Sequence, residues 1–115
     1  MTEIIRAARV WDYESQEITS FPSSGALAVS AAHGLGVRPR LFEVFARCLV
    51  ADQDYTPGDE VKLGPGAGII YGAKWANASS IGVSATNGFY IARKDGTTGF
   101  VLAAGTWAIV LRAKR

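Results

Sequence analysis

Short apolar runs with period-two alternation, each closed by Gly, Pro, Asn or Asp, constrain this chain more than any other feature. The run Leu41 to Val50 is the clearest. Phe42, Val44, Ala46 and Cys48 face one way, and Leu41, Glu43, Phe45, Arg47 and Leu49 face the other. In Thr106 to Ala113, Trp107, Ile109 and Leu111 share a face opposite Ala108, Val110 and Arg112. Ala26 to Ala32, Ile69 to Trp75, Ser80 to Ala85, Phe89 to Arg93 and Gly99 to Ala103 complete the set. Helical periodicity is scarce. Turn signals recur roughly every 8–12 residues, the spacing of an antiparallel all-β sandwich or barrel. The pattern predicts a β-sandwich.

The connections carry matching chemistry. Asn87-Gly88 and Lys94-Asp95-Gly96-Thr97 read as hairpin turns, because the tight turns between strands need positive φ. Thr56-Pro57-Gly58-Asp59 reads as a type II turn, with Pro second and Gly third. Gly64 to Gly68 reads as a looser loop. The start, Ile4 to Trp11, fits a helix or a strand equally. Residues 1–24 are polar and acidic around Asp12, Glu14 and Glu17, and end in Ser20-Phe21-Pro22-Ser23-Ser24. They read as an arm or attachment segment, with the sandwich domain spanning 25–115.

Composition removes several classes. With 115 residues, 49% hydrophobic and 19% charged, the chain fits one domain and is too apolar for disorder. No stretch approaches the roughly 20 apolar residues of a membrane span, so no membrane insertion is expected. Met1 to Arg6 does not read as a signal peptide, which predicts synthesis in a cytosol. Cys48 is the single cysteine and His33 the single histidine, which excludes an internal disulfide and a multi-histidine metal site within one chain. No cofactor or metal is expected. A net charge of +2 decides nothing about polyanions, and the basic groups (Arg38/Arg40, Arg93-Lys94, and Arg112, Lys114 and Arg115) lack aromatic spacing for nucleic acid.

The chemistry on offer points to binding. His33, in Ala32-His33-Gly34-Leu35-Gly36, has no partner serine motif and reads as a brace for its turn. Asp52, Asp54, Asp59 and Glu60 form the acidic cluster. It reads as solvated turn residues, with a calcium loop or paired catalytic carboxylates as alternatives. Tyr71, Trp75, Phe89 and Tyr90 lie around Asn77 and Asn87, a combination of ring faces and amides that suits sugars. Tyr71, Trp75 and Asn77 are the candidate carbohydrate-binding residues. The mixed face of Leu41, Glu43, Phe45, Arg47 and Leu49 is too greasy for water and too charged for a core. It reads as an interface between copies, with an ordinary surface ion pair as the alternative.

The run Ala32-His33-Gly34-Leu35-Gly36-Val37-Arg38-Pro39-Arg40 into Leu41–Cys48, followed by Tyr55-Thr56-Pro57-Gly58-Asp59-Glu60-Val61, resembles a segment of bacteriophage tail-fibre, fibre-tip and head-fibre proteins. It covers about a quarter of the chain. A fainter likeness is to H-type lectins, six-stranded sandwiches that assemble as trimers. The resemblance implies a trimeric, jelly-roll or lectin-like sandwich on the virion surface, attached to other virion proteins through the N-terminal arm and presenting loops to a host-surface glycan. His33, Gly34, Gly36, Pro39, Gly58, Asp59 and Glu60 match its turn motifs and are carried over as structural residues. A non-enzymatic receptor-binding fibre is the first expectation. A capsid or tail decoration or baseplate adaptor protein, and a small capsule depolymerase, are the alternatives.

Overall fold

The computed structural model describes residues 10–65, 68–69 and 73–115. Among these residues ten strands follow in order: β1 (Tyr13–Glu14), β2 (Leu27–Ala32), β3 (Leu41–Cys48), β4 (Glu60–Pro65), β5 (Gly68–Ile69), β6 (Ala73–Ala76), β7 (Ser80–Ala85), β8 (Tyr90–Ala92), β9 (Gly99–Val101) and β10 (Trp107–Lys114). They form a five-stranded sheet in the order β1-β10-β3-β4-β5, a three-stranded sheet β2-β7-β6, and a β8-β9 ribbon. The all-β sandwich expected from the alternation is what forms. Val44, Ala46 and Cys48 of β3 pack with Trp107, Ile109 and Leu111 of β10 against Leu27, Val29, Ile81 and Val83 of the second sheet. The period-two pattern places these side chains, because alternate residues of a strand share a face.

The register of β3 on β10 is continuous, from Leu41 opposite Lys114 to Cys48 opposite Trp107. The two long strands are therefore one ruler through the molecule. Asp52 Oδ accepts the Trp107 indole N–H at 2.9 Å, which satisfies a fully buried ring at its one polar atom.

Two expectations about the chain path need correction. Of the proposed arm, residues 1–24, the described part, 10–24, is packed on the domain rather than held away from it. Tyr13 and Glu14 extend the large sheet beside β10, Ile18 bridges to Ile109, and Phe21 lies in the core with its ring edge-on to Phe89 at 5.8 Å. The reason is that β10 would otherwise be an open edge, with unpaired N–H and C=O groups. Asn87-Gly88 is likewise no hairpin. Its flanking strands belong to different sheets, and it is tied to Gly25 by two hydrogen bonds, Gly25 N to Asn87 Oδ1 and Gly88 N to Gly25 O. The Lys94–Thr97 turn does join β8 to β9, with Gly96 at φ +83°. Thr56–Asp59 closes through Asp59 N to Thr56 O at 3.0 Å, with Gly58 at φ +97°.

Candidate functional site

The outward face of the β2-β7-β6 sheet is built almost wholly from small, uncharged residues. Ala28, Ser30 and Ala32 of β2 stand beside Ser84, Gly82 and Ser80 of β7, and Ala73 and Trp75 complete the face on β6. Register puts Ser30, Gly82 and Trp75 in one row. The indole lies flat on Gly82: a Cβ there would come within 2.3 Å of a Trp75 ring carbon, so only glycine admits the ring. Trp75 is 41% exposed. One ring face is pressed to the sheet and the other is presented to solvent, with serine hydroxyls beside it. That arrangement suits a flat apolar ring with peripheral hydroxyls, such as the face of a sugar.

The same device occurs on the β8-β9 ribbon. Tyr90 is 40% exposed and lies over Gly99, where a Cβ would sit 2.1 Å from its ring.

Of the residues singled out from sequence, Trp75 is on this face. Tyr71 lies outside the described residues. Asn77 closes the turn into β7: its side-chain oxygen accepts from Ser79 N at 2.9 Å, Ser80 N at 2.8 Å and Ser79 Oγ at 3.2 Å. Only its amide nitrogen is left to serve a ligand. Phe89 is fully buried in the core. His33 is buried, and Leu35 N donates to its Nδ1 at 3.0 Å. The proton is therefore on Nε2, which donates to Asn77 O at 2.8 Å. The His33 turn, with Gly34 and Gly36 at positive φ and Pro39 buried, thus holds the loop that follows the Trp75 strand.

The face of Leu41, Glu43, Phe45, Arg47 and Leu49 is covered in large part by its own chain. Trp11 meets Phe45 edge-on at 6.1 Å, and the Arg112 guanidinium lies 4.6 Å over the same ring. Arg112 grips both carboxylate oxygens of Glu60 at 2.8 and 2.9 Å and reaches Glu14 at 2.8 Å. Arg47 bonds Glu60 and Glu17, each at 2.8 Å. Glu43 holds Lys74 at 2.7 Å and Lys62 at 3.4 Å. The charges expected to pair between copies pair within one copy; Leu41 remains 43% exposed.

Each carboxylate of the acidic cluster has a local task. Asp54 accepts from Lys94 N and Asp95 N, which outweigh its desolvation and lower its pKa. Asp59, lowered chiefly by Lys94 and then by Thr56, closes its own turn. The Arg112 hydrogen bonds, aided by Arg47, hold Glu60 below the usual carboxylate range against its burial. Among the described residues, no three His, Cys, Asp or Glu side chains converge as a metal site would require. Cys48 is buried, its thiol pushed up in pKa by desolvation and then by Asp59 and Asp52.

Sequence reasoning missed Gly82 and Gly99 as platform residues; Tyr90 stands among the aromatics it grouped but not among its three candidate binding residues. A signal existed: Ala28-x-Ser30-x-Ala32 and Ser80-x-Gly82-x-Ser84 are period-two rows of small residues, the mark of a face kept flat. Compared with family models, curated proteins and solved structures, the chain matches none.

Proposed function

We propose that this chain is a non-enzymatic surface module of a bacteriophage or phage-like particle, a fibre or fibre-tip protein that binds a host-surface polysaccharide across the β2-β7-β6 face. The observation that carries the reading is Trp75 laid flat on Gly82 in an uncharged face of small side chains. Such a face excludes charge-directed protein partners and offers ring stacking plus hydroxyl contacts instead. The likeness of the His33–Pro39 and Tyr55–Val61 turns to phage fibre segments supports the particle context. The engagement of Asp52, Asp54, Asp59 and Glu60 in bracing supports binding rather than cleavage. Weak stacking at a single site gains from several copies on one particle, since each further contact is intramolecular.

The test is binding of the purified chain to a panel of host capsular and cell-wall polysaccharides, with adsorption blocking as the biological readout. Trp75→Ala is expected to weaken binding by about tenfold, the scale of one aromatic contact. Trp75→Phe is expected to recover part of it. Unchanged binding by a folded Trp75→Ala protein would remove this site.

A further inference from the structure

The two ends of the β3-β10 ruler carry opposite charge. At the end where β3 begins and β10 finishes, Arg40, Lys114 and Arg115 come together, with Arg38 two residues before Arg40 in the chain. Arg40 N donates to Lys114 O at 2.9 Å, Arg40 Nε to Arg115 O at 2.8 Å, and Lys114 pairs with Leu41 across the ladder. Asp12, a carboxylate at this end, accepts from Arg115 N. Arg38 has no hydrogen bond or ion pair among the described residues. Val10, Val37 and Leu41 stand exposed here, at 60%, 44% and 43%.

At the opposite end, β3 runs out into Val50, Asp52 and Asp54, and the β8-β9 turn brings Asp95 beside them. Asp54 accepts from Lys94 N and Asp95 N, and Lys94 Nζ pairs with Asp59. Asp52, Asp54, Asp59 and Asp95 lie at this end with Arg93 and Lys94, four carboxylates to two cations. Val50, two residues before Asp52 in the chain, is 57% exposed.

The basic end thus carries three exposed aliphatic side chains and the acidic end one, each in the company of charges, and the charges are opposite in sign. From this complementarity we infer that the basic end of one molecule docks on the acidic end of a second copy. The contact is heterologous, so each molecule keeps one free end of each kind. Copies related by such a contact do not close unless the rotation happens to form a ring, and they grow as a linear array. Burial of Val10, Val37 and Leu41 against Val50 supplies the apolar centre, while the charged rims set polarity and steer the encounter. Attraction between exposed rims is screened by salt, so the array is favoured at low ionic strength. This association does not involve Trp75 and stands apart from glycan binding.

Light scattering on the full chain tests it with two end-specific variants. Arg38→Glu reverses a partnerless charge at the basic end, and Val50→Lys places a cation at the acidic end. Wild-type mass is expected to rise with concentration at low salt and to fall on adding salt. Each variant alone is expected to stay at one fixed mass, with thermal unfolding unchanged. Mixed in equal amounts, the two are expected to give a species of twice that mass and nothing larger, because each supplies the end the other lacks. Trp75→Ala is expected to assemble as wild type does. A wild-type mass independent of concentration and salt would overturn the inference. So would undiminished growth in both variants, or variants that fail to pair when mixed.

Discussion

Glycine decides the geometry of the proposed site at the residue scale. Sequence pattern pointed to Trp75, but for its company with asparagine, and Asn77 turns out to spend its side-chain oxygen on a turn. What makes the indole a platform is the absence of a side chain at Gly82, on the next strand in sequence and directly opposite in register. A residue with no side chain adds nothing to a hydrophobic pattern, so only register reveals it. Gly82→Ala follows as a test. The added methyl would meet the ring at 2.3 Å, so the indole must lift off the sheet. Alanine is at least as good as glycine in a strand backbone, so the expected stability change is small, within about 1 kcal/mol. Polysaccharide binding is expected to fall nearly as far as in Trp75→Ala, with a red-shifted Trp75 emission measured against Trp75→Phe. Full binding by Gly82→Ala would mean that the flat ring is irrelevant to recognition.

Elements with long, clean alternation were legible in the sequence, and those held by a neighbour's need were not. β3 and β10 were placed to within a residue or two because eight residues of period two leave one solution for the core face. β4 escaped notice: Glu60-Val61-Lys62-Leu63 alternates briefly and runs into Gly64-Pro65, which reads as loop. The segment before Gly25 looked detachable because its acids and serines carry no pattern of their own. Its place is fixed by the open edge of β10 and by Arg47 and Arg112, which lie far along the chain. Phe21 separates an arm from a packed segment. It is 8% exposed and rests on Phe89, whereas an arm would leave it in water. Phe21→Ala is therefore expected to cost about 3 kcal/mol, the usual toll of truncating a core phenylalanine, seen as a lower urea midpoint with unchanged m-value. A cost below about 0.5 kcal/mol, typical of surface positions, would return residues 10–24 to the role of a free arm.

At the scale of the whole molecule, folding holds carboxylates in their charged form on the outer face of the large sheet and at its acidic end. Glu60 is lowered by Arg112 and Arg47 despite burial. Burial acts on Glu43 in the opposite direction, and Lys74 and Lys62 outweigh it. Asp59 is lowered by Lys94 and Asp95 by Thr97. Each of these groups binds its proton less tightly folded than unfolded. The unfolded chain therefore takes up more protons as pH falls, and the stability these groups contribute is complete above their unfolded values of 4.5 for Glu and 3.8 for Asp. It drains away as pH drops through the lower folded values. The urea midpoint of the wild-type chain is thus expected to hold steady from neutral pH to about pH 5 and to fall steeply toward about pH 3. Glu60→Gln isolates the largest knot. It leaves Arg112, whose side chain is only 11% exposed, without its two-oxygen partner, at an expected cost of about 2 kcal/mol near neutral pH. Having no proton to gain at that position, the variant is expected to lose less on acidification, so its curve approaches that of the wild type at low pH. Parallel curves across the whole range would mean that the Glu60 knot is not what ties this fold to its charged state.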